Sequence, residues 1–482
     1  MILSYHLALY DFASKQKYIY NTPKIIEISG ASALLDRMYG ELVDKIAKDG
    51  IKIKNTPADD FSMEEFEKSS ENGEVLYDGG GNLMVLFKSK DDYKKANNAM
   101  SKYILENYPG LTMIVAGVEY TGDYNKDKSN LYAENRKRKN RFAVTDITGV
   151  TPVTQIDPLT FGPVVKKIVE NKEKLTLSGD RVCKRNTFQN ENLNYENYEW
   201  RYDRDYQNID KLDENTGLLA VIYVDGNGIG KALQDLTEKL ELPQDGKSNY
   251  DNGVAKQREF SQAAKEIFVM HPMEAIYAKG LPYRRILGGG DEITILCRAQ
   301  DAFELINTYF NTIKNNENGF TSCAGIAVFH AGSPFTVAYE IAEECCENAK
   351  KTAKKVAAET NGKIENYFDF YYCHGGITTD FDTLRNRQSI TARPYKFDDN
   401  LFDKYKDELQ KAGRANVKAL GNAIQQGPEH YKFEAKRINA YLKKDAFSGD
   451  EDEMKVVYDM SEFYDLWFSK KEENKDEQNS ED

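Results

Sequence analysis

Asp225 and the run Gly289-Gly290-Asp291-Glu292 are the residues of this chain best suited to phosphoryl-transfer chemistry. Mg²⁺ takes hard oxygen ligands, and it usually binds through one or two protein carboxylates while substrate phosphates complete its octahedral shell. With a pair of such ions, one activates an attacking hydroxyl and the other stabilises the leaving oxygen. Asp225, Asp291 and Glu292 are therefore the candidate catalytic residues and ligands for two Mg²⁺ or Mn²⁺ ions. The glycines serve close approach: a side chain at Gly289 or Gly290 would stand where a triphosphate must come, and Gly226, Asn227 and Gly228 offer backbone N–H groups to phosphates. A loop rich in glycine and acid is the competing reading of either motif alone. The two together, 66 residues apart, favour the metal centre.

The elements that must hold these acids are legible. Leu218-Leu219-Ala220-Val221-Ile222-Tyr223-Val224 is an apolar, β-branched run that reads as a buried strand, which puts Asp225 at its tip. Arg285-Ile286-Leu287 and Ile293-Thr294-Ile295-Leu296 flank the second cluster, and glycines between two such runs read as a tight hairpin. Neighbouring strands lie roughly 4.8 Å apart, so a strand-tip Asp and a hairpin Asp-Glu can share metal ions. Two rival glycine motifs fail on their letters. A P-loop needs Gly where Asp225 stands and Ser or Thr where Ala232 stands, and a dinucleotide fingerprint needs Gly at Lys231.

An internal repeat points the same way. Tyr5 to Tyr10 is an apolar strand ending at Asp11, and Val75-Leu76-Tyr77 and Met84-Val85-Leu86-Phe87 flank a hairpin Gly79-Gly80-Gly81-Asn82-Leu83. From Asn82 to Gly117 is 35 residues and from Asp291 to Gly325 is 34, which argues for two copies of one βαββαβ unit. Asn82 and Leu83 replace the acids in the first copy, and a neutral amide does not hold metal pairs as carboxylates do. The expected class is α+β, with two ferredoxin-like (βαββαβ) palm domains and a helical C-terminal domain. The boundaries are 1–150 for the first, degenerate palm, 151–213 for a loop-rich connector, 214–398 for the catalytic palm, 399–467 for the helical domain and 468–482 for a disordered acidic tail. A polar insert around Pro243–Ser248 is expected to precede a helix near Phe260–Ala278.

The strand-Asp, the Gly-Gly-Asp-Glu hairpin, Ser322-Cys323-Ala324-Gly325-Ile326-Ala327 and Ala349-Lys350 resemble the palms of diguanylate cyclases. More closely, they resemble the large polymerase-like subunit of type III CRISPR effector complexes, whose palm carries Gly-Gly-Asp-Asp. That likeness extends to Lys24-Ile25-Ile26-Glu27-Ile28-Ser29-Gly30-Ala31-Ser32 and to Thr391-Ala392-Arg393-Pro394-Tyr395, over roughly residues 1–400. The resemblance implies a nucleotidyltransferase that joins ATP into cyclic oligoadenylate messengers in antiviral defence. It gives Ser32 a place facing the nucleotide and makes Lys350 a phosphate contact, and it brings CRISPR-type subunits, an RNA or protein activator, or a second copy of the chain as partners. A cyclic dinucleotide synthase using GTP and a scaffold subunit without activity are the alternatives, the latter because Glu292 stands where the family has its second Asp.

Other residues have two readings. Ser29 or Ser32 also suits a helix cap, and Arg393 and Tyr395 suit a structural turn. Lys350, Lys351 and Lys354 also suit a helix C-terminus, where cations are favoured. Arg136-Lys137-Arg138-Lys139, with Arg141, reads equally as a contact for triphosphates or RNA and as a solvated loop.

Composition sets the outer limits. A chain of 482 residues, 40% hydrophobic and 30% charged, can bury several cores, and a net charge of −13 argues against a surface that grips nucleic acid throughout. No apolar run approaches the ~18 residues of a membrane span, and Met1-Ile2-Leu3-Ser4 lacks a basic leader, so a cytoplasmic protein with no membrane partner is expected. The six cysteines show no CxxC and no paired Cys/His spacing, so no zinc is expected, although many of the relatives carry a zinc-finger-like insertion near Cys183. None of the five histidines precedes Asp, so the nuclease activity of many relatives is not expected.

Overall fold

The computed structural model describes the chain apart from residues 1–3, 56–59, 142–152, 171, 192–212, 214–215, 239, 241–247, 374–380, 382, 384, 386–389, 398–400 and 469–482. Part of the expected connector, most of the insert around Pro243 and nearly all of the acidic tail lie outside the described residues.

The first part of the chain runs β1 (His6–Phe12), α1 (Lys15–Ile19), α2 (Ile25–Ala47), β2 (Ile53–Lys54), α3 (Met63–Lys68), β3 (Gly73–Gly79), β4 (Asn82–Phe87), α4 (Lys90–Asn107), β5 (Met113–Glu119) and α5 (Tyr124–Arg141). Its sheet has the order β2-β3-β4-β1-β5. β1 is antiparallel to both neighbours, with Tyr10 opposite Leu83 and Asp11 opposite Ile114. All seven residues of β1 are buried, as a central strand's are, His6 and Asp11 among them. Ser89 caps α4 by accepting from the Asp92 N–H, which starts the helix cleanly after β4.

A hairpin, β6 (Val164–Glu170) and β7 (Glu173–Ser178), and then α6 (Gly179–Glu191) follow. This stretch, expected to be loops with little core, is anchored by buried charge. Arg181 and Arg185 both donate to Glu27 of α2, and Arg181 also donates to Asp157. Gly30 belongs to the same crossing, since a Cβ there would lie 2.0 Å from the Lys184 carbonyl oxygen.

The second sheet draws on β8 (Leu218–Gly226), β9 (Tyr283–Gly289), β10 (Glu292–Arg298), β11 (Ser322–His330), β12 (Tyr367–Tyr372) and β13 (Tyr395–Lys396), in the order β13-β12-β11-β8-β10-β9. Its helices are α7 (Ile229–Glu238), α8 (Tyr250–Lys265), α9 (His271–Ala278), α10 (Ala302–Ile313) and α11 (Phe335–Thr360), with a π turn over Glu266–Met270. The two sheets share one ferredoxin-like order, β3-β4-β1-β5 matching β9-β10-β8-β11. Helices over Leu401–Ala412, Arg414–Gln426, Pro428–Leu442, Glu451–Ser461 and Tyr464–Phe468 form the helical C-terminal region.

Two compact units emerge. One comprises Met1–Gln207, Gly228–Met270 and Ile286–Ile293, and the other comprises Asn208–Asn227, His271–Arg285 and Thr294–Asp482. In the first unit, Leu7, Leu9, Leu76, Met84 and Leu86 of the sheet pack with Tyr250 and Val254 of α8. In the second, α11 lies directly on β11: a Cβ on Gly325 would fall 1.8 Å from the Ala342 carbonyl oxygen. Among the described residues no helix is long and apolar enough to cross a membrane.

Candidate active site

The β9–β10 hairpin places its acids by a two-residue turn. β9 ends at Gly289, Gly290 takes φ +64° at the turn with Asp291, and β10 begins at Glu292. The first hairpin is built alike, with β3 ending at Gly79, a Gly80-Gly81 turn and β4 beginning at Asn82. Asn82 therefore corresponds to Glu292 and Gly81 to Asp291, a one-residue correction to the alignment by spacing. With Asn82 paired to Glu292 the spacings to Gly117 and Gly325 become 35 and 33 residues.

The hairpin tip belongs to the first unit. A Cβ on Gly289 would stand 4.0 Å from Asp36 Oδ1, on α2. Ser32 is one turn before Asp36 and half-buried. Burial, then the Asp36 charge, pushes the Asp78 carboxyl up to about 6, with Lys265 partly offsetting both. Burial also raises the Tyr77 phenol, and the Asp78 and Asp291 charges add to the rise. Asp36, Tyr77, Asp78 and Lys265 were not visible as site residues in the sequence, because no motif marks them.

Asp225 lies near the end of β8, opposite Cys323 of β11. β8 and β10 are neighbours in the sheet. Lys350 of α11 donates to Asp225 Oδ2 and lies 3.8 Å from Glu347 Oε1. Burial acts to lower the Lys350 pKa, but the charge and hydrogen bond of Asp225 outweigh it and hold the ammonium above the usual lysine range. Glu343, one turn before Glu347, has its carboxyl raised by burial and by Glu344, Glu347, Glu340 and Asp225 in turn. Lys350 sits ten residues before the helix end at Thr360, so a helix-dipole role does not account for it. Beyond β8, the Asn227 N–H is already bonded to the Thr321 carbonyl and its amide donates to Thr321 Oγ1, which leaves Asn227 poorly placed as a phosphate cradle. Gly226 is buried at the strand end, and Gly228 is exposed with φ +69° where the chain enters α7.

The remaining expectations resolve structurally. α2 begins at Ile25 after Pro23, so neither Ser29 nor Ser32 caps it. Arg393 is buried, donates to the Phe370 carbonyl and pairs with Asp459 and Glu462, while Tyr395 donates to Asp459. Arg136–Arg141 is the last part of α5, not a loop. Arg138 donates to Glu134 and to the Val115 carbonyl, and Lys139 pairs with Asp11.

The donor set suits a hard divalent cation, since Asp225, Asp291 and Glu292 offer only carboxylate oxygens. Among the described residues no three His, Cys, Asp or Glu are gathered to hold a metal by themselves.

The fold and this acidic hairpin define a palm protein. Residues 218–358 match the family described as Cas10/Cmr2, second palm domain. Beyond that segment, the fold of the chain is similar to that of solved Csm1-Csm4 structures. One is the Csm1-Csm4 cassette in complex with cA4, with a TM-score of 0.57 and 11% identity over 96% of this chain and 70% of the other. The cassette in complex with pppApApA gives 0.56 and 12% over 96% and 70%, and that with AMPPNP gives 0.54 and 12% over 95% and 70%. No curated protein matches the sequence.

Proposed function

We propose that the chain joins nucleotides, ATP foremost, into cyclic oligonucleotide messengers, with Asp225, Asp291 and Glu292 holding two Mg²⁺ or Mn²⁺ ions. The observation that carries this reading is the placement of Asp225 near the end of one strand and of Asp291-Glu292 at the turn that opens its neighbour. The similar palm structures were solved with cA4, pppApApA and AMPPNP, which supports adenine nucleotides as substrate and product. The bound ions would supply activation of a ribose hydroxyl and stabilisation of the leaving pyrophosphate. Gly289 and Gly290 leave room for phosphates at the turn, Asp36 of α2 borders the hairpin tip, and Ser32, one turn earlier on α2, is proposed to face the nucleotide. Lys350 offers a cation on the Asp225 side, suited to triphosphate oxygens.

The chain's domains follow the same reading: a first palm to about residue 150, a connector, a catalytic palm over 214–398 and a helical domain over 399–467. A partner subunit is proposed by analogy with the Csm1-Csm4 cassettes, together with an RNA or protein activator. The test is incubation of the purified chain with each NTP and Mg²⁺ or Mn²⁺, read by mass spectrometry beside an Asp225→Ala/Asp291→Ala control. Oligoadenylate absent from the control is the expected result. No product with any NTP, alone or with partner subunit and RNA, would instead assign the chain a scaffold role.

A further inference from the structure

Lys139 and Lys350 occupy equivalent places. Lys139 is twenty residues beyond Glu119, the end of β5, and Lys350 is twenty beyond His330, the end of β11. Each reaches from the helix after that strand to an acid on the adjacent antiparallel strand, Lys139 to Asp11 and Lys350 to Asp225. The surroundings of the two acids then differ.

Asp11 is fully engaged. Besides Lys139 it takes Lys15 Nζ at 2.7 Å and Asn135 Nδ2 at 3.1 Å. The Asn82 amide, oriented to satisfy both its ends, donates to Oδ1 at 3.1 Å. Lys15 is itself tied to the Gly81 carbonyl in the turn. Burial would raise the Asp11 pKa, yet the Lys15 charge and the bonds from Lys139, Lys15 and Asn135 hold it below the usual carboxylate range. One carboxylate thus faces two ammonium groups at the degenerate hairpin. Among the described residues Asp225 is paired with a single ammonium, and α11 adds Glu347 and Glu343 around it. Negative charge is in excess there.

We propose that Lys350 is the exchangeable counter-ion of Asp225, displaced when a divalent cation takes that carboxylate, whereas Lys15 and Lys139 neutralise Asp11 permanently and keep divalent ions from the first sheet. The inference rests on Asp225 being a metal ligand. An ammonium and a divalent ion on one carboxylate repel each other at contact distance, so they compete. Competition fixes a sign: weakening the lysine strengthens metal binding, and strengthening it does the reverse. Arg holds a carboxylate through a planar fork that Lys lacks, so Lys350→Arg provides the opposite arm.

The experiment is Mn²⁺ titration of the full chain without nucleotide, read by electron paramagnetic resonance of free Mn²⁺. Lys350→Met is expected to bind Mn²⁺ about five- to tenfold more tightly than the wild type, and Lys350→Arg more weakly, from the ~1 kcal/mol of a partly buried ion pair. Lys139→Met, in which Lys15 still holds Asp11, leaves the affinity at Asp225 unchanged. Unchanged or weaker binding in Lys350→Met, or tighter binding in Lys350→Arg, overturns the exchange while leaving Asp225 a ligand. Asp225→Asn binding Mn²⁺ as well as the wild type overturns the metal reading of Asp225 and the exchange with it.

Discussion

Gly253 and Tyr124 meet so closely that a Cβ on Gly253 would stand 2.5 Å from the Tyr124 ring. The contact seats α8 against α5 of the first unit. Around it Tyr124 donates to Gln257, Tyr250 donates to Asp127 at 2.7 Å, and Arg258 donates to the Val75 and Leu76 carbonyls. Gly253→Val pushes the helix off this ring and is expected to cost about 2–3 kcal/mol, as overpacking does. Denaturant unfolding checks it, and a cost below about 0.5 kcal/mol would mean that α8 can shift freely.

Glu27 is the hub of a buried charge cluster. Its side chain is fully buried and accepts from Arg181 and Arg185. Glu27→Gln removes the acid that the two guanidinium groups share and leaves Arg181 with Asp157 and Arg185 with Glu170, so it is expected to destabilise by about 1.5–3 kcal/mol, with a lower Tm. Glu27→Asp, shorter by one methylene, should recover part of that loss; equal losses in the two variants would point to geometry and not to charge.

Gly325 allows α11 to touch β11. Gly325→Ala would place a methyl group 1.8 Å from the Ala342 carbonyl oxygen and 2.5 Å from the Cys346 N. Because both atoms are backbone, the helix must move, and a loss of more than about 3 kcal/mol or failure to fold is expected. A soluble variant with an unchanged melting curve would show that α11 is not held there.

Glu462 gives a pH signature. Burial pushes its carboxyl up to about 7 despite Arg393 at 3.4 Å. Because the folded value is raised above the ordinary 4.5, the stability it contributes is present below about pH 4.5 and is lost as pH rises through about 7. Glu462→Gln removes that titration. Its Tm relative to the wild type should therefore improve from pH 4.5 to pH 8, by up to roughly 3 kcal/mol in stability. A difference that stays constant across that range would remove Glu462 as the cause.

By itself the sequence determined the acids and their local setting. Gly-Gly-Asp-Glu between two apolar runs reads as a hairpin, and the apolar run ending in Asp225, with Val221, Ile222 and Val224 in it, reads as a buried strand, because these signals lie within a few residues. The duplication and the C-terminal helices were legible for the same reason. Tertiary structure alone decided the rest. Spacing placed Asn82 against Asp291, and strand register moved it to Glu292. Lys139 read as part of a basic run until α5 packed on the sheet and brought it to Asp11, and Arg181 became part of a core only when α6 crossed α2. Asp36 gained its place by lying opposite the hairpin tip. Each of these pairings joins residues far apart in the chain, and the packing of whole elements, which no local pattern encodes, is what brings them together.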